Sequence, residues 1–353
     1  MLIGMMCGCL LALLVLRETI GDPIAIVEAD SANYKQLLPP PLRRGLRALQ
    51  AASGVVVEET KQVIVLYAGP IHLPNPNAEG YEVYSETYTR DKLRTRNFEF
   101  FLSTGIDCRV HDTVLVLGEQ VAQSYGPRLD SMNQACRALG NFIKLVTRDE
   151  ECERVEPMRL ILHGGLVDLT LYDALIHVNC EMTGPAPSAS SSWTREFTKH
   201  FNLGDKIHMV GLSHVCNGKH SHAQADVFAL DKKGIETIRA SDVVFDCRDI
   251  KGDNGEDRYD NLSAIVGRYE IGMSRKIMDT GYKIYSMRSD FTMDKASRDT
   301  CIGDDIWVTS HLKAIYGHIP SLDEVLFFKT SRYLPQDIKE QIGYNGEPEW
   351  EWK

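Results

Sequence analysis

Short apolar runs alternate with amphipathic stretches along most of this chain of 353 residues. The runs are rich in Val, Ile and Leu and lie at residues 63–67, 114–117, 142–146, 174–178, 208–210 and 227–230. Nearly continuous apolar runs bounded by turn residues are typical of strands covered on both faces. Helical patterns fall between them, at residues 91–103, 129–139, 192–201 and 232–240. This alternation predicts an α/β fold, with a mainly parallel sheet flanked by helices.

The clearest helical pattern covers residues 262–280. Its apolar positions recur at steps of three and four residues, at Leu262, Ile265, Tyr269, Met273 and Ile277. Such spacing places them on one face of a helix. Gly281 is a natural residue to follow the helix end, and residues 282–285 then read as a strand.

An uncharged apolar run opens the chain at residues 1–16 and ends before Arg17. It favours a short signal anchor or a signal peptide over a buried helix, although no basic residues precede it and no clear cleavage motif follows. We therefore expect four segments: the signal segment at 1–17, a stem or linker at 18–61, one folded domain at 62–335 and a tail at 336–353.

Composition and charge limit the classes of molecule that the protein is expected to bind. The formal net charge is -10 and the basic residues are scattered, which argues against nucleic acid as a partner. The nine cysteines contain no C-x-x-C pair, so a zinc ribbon is not expected. In an oxidising lumen some of them could pair, but the connectivity cannot be read from the sequence. The sequon at Asn261 is consistent with that placement.

A polar turn follows the apolar run at residues 174–178. Asn179 and Glu181 come directly after the run, and the chain then reaches Gly184-Pro185. In open α/β sheets, ligands bind outside the carboxyl ends of the strands, so both side chains are candidates for a binding site. The alternative is that Asn179 only satisfies the turn and Glu181 is solvated.

The segment that contains this turn resembles a segment of the capsular-polysaccharide-type, rhamnan-synthesis-like glycosyltransferases. Further segments resemble the same family and follow one another in the same order. The similar segments are residues 96–102 with Gly105, 111–118, 172–185, 193–197 with 207–211, 222–230, 269–274 with 281–284, and 316–318 with 320–332. The most specific is Tyr269-Glu270-Ile271-Gly272-Met273-Ser274 with Gly281-Tyr282-Lys283-Ile284. The resemblance implies a GT-A-like, nucleotide-diphospho-sugar-binding fold at 62–335. It also implies an enzyme that transfers a sugar from a nucleotide-diphosphate donor to a glycan or glycoconjugate, and we expect this enzyme in the Golgi lumen.

The resemblance also implies roles for individual residues. Glu270 is the expected catalytic carboxylate that accepts the proton of the acceptor hydroxyl. The alternative is a glutamate on the helix surface that pairs with Ser274 or Arg275. Arg148 and Arg96 flank predicted strand ends and are expected to bind the donor together with Asn179 and Glu181; the alternative for the arginines is surface solvation. The expected acceptor-binding residues are His222, Gln224 and Asp226. Glu181 is also the candidate ligand of Mn²⁺ or Mg²⁺, which would neutralise the leaving diphosphate. The alternative is a metal-independent enzyme that uses Arg or Lys instead. Arg94 is a further candidate for the phosphate charge.

The sequence departs from the family pattern at two places. Arg154 stands where the family has an Asp of its donor segment, and Asn179-Cys180-Glu181 replaces the usual metal-binding Asp-x-Asp. A catalytically degenerate module that binds a glycan or a protein is therefore the alternative, and a lumenal structural protein is a third. Asp304-Asp305 reads as a solvated pair.

One more group has zinc-binding residue types. His214, Cys216, His220 and His222 lie within nine residues, but their spacing matches no standard finger. Exposed or acceptor-contacting histidines are the favoured interpretation of this group.

Overall fold

The computed structural model describes residues 62–74, 86–148, 155–185, 192–203, 206–216, 218–246, 265–287, 291–301 and 326–329. The predicted signal, stem and tail segments, the Asn261 sequon, Arg154 and Asp304-Asp305 lie outside these ranges. No helix within the described ranges is long and apolar enough to span a membrane.

An eight-stranded sheet lies at the centre of the described part of the chain. The strands in chain order are β1 (Val63–Ala68), β2 (His111–Gly118), β3 (Ile143–Arg148), β4 (Ala174–Asn179), β5 (Met182–Thr183), β6 (Ile207–Gly211), β7 (His214–Val215), β8 (His222–Ala223), β9 (Val227–Asp231), β10 (Lys283–Ser286), β11 (Phe291–Met293) and β12 (Phe328–Lys329). The order across the sheet is β11-β10-β6-β9-β4-β1-β2-β3. Six of these strands run parallel, whereas β9 and β11 are antiparallel to their neighbours. The predicted mainly parallel sheet flanked by helices is confirmed.

The helices lie between the strands, as the pattern predicts. They are α1 (Glu86–Thr104), α2 (Glu119–Ala138), α3 (Glu156–His163), α4 (Trp193–Thr198), α5 (Lys232–Arg239), α6 (Gly272–Asp279) and α7 (Lys295–Thr300). Short 3₁₀ segments lie at Leu169–Leu171, Lys199–Asn202 and Gly218–His220. Each of the six predicted strand runs overlaps an observed strand.

Both faces of the sheet are buried. Successive side chains of β1 alternate between two apolar cores, since Ile64 and Leu66 join one core and Val65 and Tyr67 the other. All four are fully buried. This is why the strands read as continuous apolar runs rather than as alternating patterns.

The predicted helix at 262–280 is confirmed for its described part, with a local change of form. Residues Val266–Ile271 make π-helical hydrogen bonds before α6 begins. The predicted apolar face is buried at each described position, and Gly281 follows with a φ of +84°. A π-helical turn widens the helix and is frequent at functional sites, and Glu270 lies within it.

The helix predicted at 129–139 begins ten residues earlier than expected, at Glu119. A proline inside a helix is unfavourable, because it lacks the N–H that bonds to the preceding turn. Pro127 nevertheless lies inside α2, and Val121, Ala122 and Leu129 are buried on both sides of it. Packing of this apolar face outweighs the local cost of proline.

The stability of the domain is expected to fall as the pH drops below about 6.5. His111, the first residue of β2, is fully buried beside Trp193, and burial lowers its pKa from 6.5 to about 4. The unfolded chain takes up this proton at the higher pH, so unfolding is favoured between about pH 6.5 and 4. The shift corresponds to about 3 kcal/mol of stability, lost progressively over that interval.

Denaturant unfolding at pH 7, 5 and 4 measures this loss. A His111→Gln variant lacks the titrating group and should show a shallower pH dependence over the same interval. Parallel profiles for the wild type and the variant would exclude His111 as the source.

Candidate functional site

Three of the predicted site residues lie at one edge of the sheet. Arg148 ends β3, Asn179 ends β4, and Asp226 directly precedes β9. Because β9 runs antiparallel to β4, its first residue lies beside the last residues of β4, and the backbone N–H of Asn179 donates to the Asp226 carbonyl at 2.9 Å. The carboxyl edge of a mainly parallel sheet is where α/β proteins bind ligands.

The two predicted donor-binding arginines are placed differently. Arg148 is buried, and its Nη2 donates to the carbonyl of Gly69 at 2.8 Å, so it holds the loop that follows β1. Arg96 is half-buried on α1, as part of the helix rather than at the end of a strand. Arg94 also lies on α1, but it reaches the turn after β4.

The turn after β4 is fixed by side chains. The Oδ1 of Asn179 accepts from the backbone N–H of Glu181 at 3.0 Å, which is the Asx turn that this residue type favours. The Nδ2 of Asn97 donates to the Cys180 carbonyl at 2.8 Å, and Thr183 donates its hydroxyl to Asn97 at 2.6 Å. Asn179 therefore positions Glu181 through this turn.

Four charged side chains meet at the end of this turn. The Oε1 of Glu181 accepts from Arg94 Nη2 at 2.8 Å, and its Oε2 lies 3.3 Å from Lys329 Nζ. Lys329 Nζ also donates to both carboxylate oxygens of Asp226, at 2.9 and 3.2 Å. We call these four residues the carboxyl-edge cluster. All of its side chains are at most 12% exposed.

Lys329 reaches the cluster through a short strand pair. Strand β12 runs antiparallel to β5, and Lys329 lies opposite Met182, next to Glu181. Gly184 permits this approach, because a Cβ there would lie 2.4 Å from the Phe327 ring and 2.5 Å from the Leu326 carbonyl oxygen. Its φ of +150° also favours glycine. Sequence reasoning missed the role of Lys329; the available signal was a lysine that ends the apolar run at 325–328.

The predicted catalytic carboxylate faces a predicted acceptor-binding residue. Glu270 Oε2 lies 3.9 Å from His222 Nε2, and each side chain is 9% exposed. The Nδ1 of His222 is 2.6 Å from the carbonyl of His220. A carbonyl can only accept, so Nδ1 carries the hydrogen and Nε2 is the nitrogen directed at the carboxylate. The strand that bears His222 is tied to α6, where the Ser274 hydroxyl accepts from the Ala223 N–H at 3.0 Å.

The β7–β8 hairpin, which follows β6 at the same edge, presents the other predicted acceptor-binding group. Gln224 is buried, and its side-chain oxygen accepts a hydrogen bond from the Ser213 hydroxyl. His222, Gln224 and Asp226 therefore lie on one segment, and this segment joins the histidine–glutamate pair to the carboxyl-edge cluster.

The residues considered as zinc ligands include a cysteine that is bonded in a disulfide. Cys216 forms a disulfide with Cys301, at the end of α7, so its thiolate is not available to a metal. His214 lies with the two sulfur atoms in a group whose candidate ligand atoms are within 4.8 Å of one another. Burial, and then the nearby His222, lowers the pKa of His214. His220 is exposed. Within the described ranges a second disulfide joins Cys108 and Cys136, and the buried Cys180 belongs to neither of these two disulfides.

The described body is similar to several solved enzymes of nucleotide-sugar metabolism. A mannosyltransferase from Pyrobaculum calidifontis, solved with GDP-Man and Mn²⁺, matches with 11% identity and a TM-score of 0.37, over 70% of this chain and 61% of that one. Mouse xyloside xylosyltransferase 1 matches with 7% identity and a TM-score of 0.35, over 78% and 99%. A nucleoside-diphosphate-sugar pyrophosphorylase from Vibrio cholerae matches with 13% identity and a TM-score of 0.30, over 64% and 91%. This chain thus spans about three fifths of the mannosyltransferase. No protein-family model matches the sequence, and no curated protein matches it.

Proposed function

We propose that this chain is a GT-A-like glycosyltransferase that moves a sugar from a nucleoside-diphosphate donor to a hydroxyl group of a glycan or glycoconjugate. The observation that carries the proposal is the position of the polar groups. Buried cations, carboxylates and a histidine–glutamate pair lie at the carboxyl edge of one mainly parallel sheet. The order of the segments that resemble glycosyltransferases supplies the chemical class.

The proposed chemistry needs two groups of opposite kind. The bond between the anomeric carbon and the phosphate oxygen breaks with its electron pair on the diphosphate, and the acceptor oxygen bonds to that carbon. Cations must take up the charge on the leaving group, and a carboxylate must accept the proton of the acceptor. In our proposal the carboxyl-edge cluster serves the first need and Glu270, beside His222, serves the second.

Nucleoside diphosphates are expected to raise the melting temperature of the protein. A ligand at a hundred times its Kd stabilises the native state by about 2.7 kcal/mol, because it binds the folded chain only. Thermal unfolding with UDP, GDP and their sugar conjugates, with Mn²⁺ and with a chelator, measures the effect. Inorganic phosphate and free sugars are the controls. No stabilisation by any donor nucleotide would contradict the transferase proposal.

The second candidate is a degenerate transferase fold that binds a glycan or a protein without catalysis. The specific observation in its favour is the absence of an Asp-x-Asp after β4, where Asn179-Cys180-Glu181 stands. Glycan-array binding that persists in Glu270→Gln, without nucleotide stabilisation, would support this candidate.

We also propose that the domain faces the lumen of the secretory pathway, with the Golgi as the expected compartment. Disulfides such as those at Cys108 and Cys216 persist mainly in oxidising compartments, and the apolar segment at 1–16 would provide the membrane attachment. The full chain expressed in eukaryotic cells should resist protease in intact microsomes. Digestion of the domain without detergent would contradict this placement.

A further inference from the structure

A lysine lies between two carboxylates of the carboxyl-edge cluster. Lys329 Nζ is 2.9 and 3.2 Å from the two oxygens of Asp226 and 3.3 Å from Oε2 of Glu181. The three oxygen atoms therefore converge on one ammonium group. The ammonium of Lys329 therefore occupies the position beside Glu181 at which the resemblance implies Mn²⁺ or Mg²⁺.

The residues of the cluster do not fit a divalent metal ion. The second oxygen of Glu181 already accepts from Arg94, and two carboxylates are balanced by two cationic side chains. Mn²⁺ and Mg²⁺ are held by oxygen ligands at distances near 2 Å, which requires negative charge that is not already neutralised. The ammonium of Lys329 would have to leave before such an ion could bind both carboxylates.

We propose that Lys329 is the resident cation of this site in place of a divalent metal, and that Lys329 and Arg94 contact the diphosphate of the donor. This second clause rests on the proposed function. Two carboxylates with Arg94 and Lys329 carry the same net charge as two carboxylates with one divalent ion. The cluster thus supplies the electrostatics of a metal site without a metal.

Backbone pairing helps to hold Lys329 in this position, in addition to the ion pairs of its side chain. Strand β12 pairs with β5 immediately after Glu181, and the side chains of Lys329, Glu181 and Asp226 are 12%, 11% and 6% exposed. Burial of this kind strengthens the attraction between the groups, since little water screens them. The ammonium is therefore fixed before a donor arrives, as an electrostatic catalyst requires.

Metal binding to the wild type and to Lys329→Ala tests the first clause. Isothermal titration or the electron paramagnetic resonance of Mn²⁺ should show no specific site in the wild type. Loss of the ammonium leaves the carboxyl-edge cluster with one cationic side chain for two carboxylates, so the variant should bind one Mn²⁺ at least about tenfold more tightly than the wild type. Lys329→Met keeps the apolar stem and serves if the alanine variant fails to fold. Lys233→Ala, a change at an exposed lysine, is the matched control.

Two results would overturn the proposal that Lys329 replaces a divalent metal ion at this site. One is a specific Mn²⁺ site in the wild type that Glu181→Gln abolishes. The other is the absence of any gain in Mn²⁺ affinity in folded Lys329→Ala and Lys329→Met.

Nucleotide binding in the presence of a chelator tests the second clause. UDP or GDP should bind the wild type equally well with a chelator and with Mn²⁺, and Lys329→Met in chelator should bind at least about tenfold more weakly. Full affinity of that variant in chelator would exclude the contact with the diphosphate. If neither nucleotide binds the wild type while the Mn²⁺ results hold, the proposed function fails and the resident cation stands.

Discussion

Replacing Glu270 with glutamine is expected to lower sugar transfer about 10²- to 10⁴-fold, the range that a positioned general base contributes. Glutamine has the shape of glutamate but cannot accept the proton of the acceptor hydroxyl. Its neighbour His222 lies 3.9 Å away, which is beyond hydrogen-bond distance, so the substitution breaks no direct bond between the two side chains. Because glutamine is nearly isosteric with glutamate, the fold should survive, and the loss should fall on kcat rather than on the KM for the donor.

The measurement is release of nucleoside diphosphate from the sugar nucleotide that gives the largest thermal shift. Glu236→Gln on α5, which removes an exposed carboxylate paired with Lys233, is the matched control and should leave turnover unchanged. Turnover at the wild-type level would remove Glu270 from the mechanism.

The pair formed by Glu270 and His222 also shows how far sequence reasoning reaches. Both residues could be named from the motifs around residues 222–230 and 269–284, because each motif is local. Their contact could not be predicted, because it depends on the hairpin β7–β8 packing against the π-helical turn before α6. The π-helical form itself leaves no signature in the apolar period, which fits an ordinary helix.

The sheet was predictable for a physical reason. A strand covered on both faces is apolar at nearly every position, so β1 and β4 stand out in the sequence without any knowledge of their neighbours. The antiparallel direction of β9 does not show in its residues, because both orientations bury the same side chains. That direction is what brings Asp226 beside Asn179.

Only part of the carboxyl-edge cluster could be predicted from the sequence. Asn179 and Glu181 follow a strand and were expected at a site, whereas Lys329 lies more than a hundred residues away from both carboxylates that it joins. Ion pairs between distant segments leave no pattern of spacing. Arg94 was named as a phosphate ligand, and its bond to Glu181 changes it into part of a charge-balanced group.

Removal of the Cys216–Cys301 disulfide is expected to destabilise the domain by about 4–5 kcal/mol, the loop-closure entropy that a cross-link over 85 residues takes from the unfolded chain. The bond joins the end of β7 to the end of α7, so its loss should also loosen the hairpin that holds His222 against Glu270. Denaturant unfolding of the Cys216→Ser, Cys301→Ser double variant measures the first effect, and donor turnover under native conditions measures the second.

The Cys108–Cys136 disulfide offers the matched control. It closes 28 residues and lies before β2, at the amino edge of the sheet, so its removal should cost about 3–4 kcal/mol and leave the turnover of the folded molecules unchanged. With excess reductant the wild type and the Cys216→Ser, Cys301→Ser variant should become equally stable, because both then lack the cross-link. A difference in stability that persists in reductant would assign the effect to the serine side chains. Equal turnover in the two double variants would show that the disulfide does not position His222.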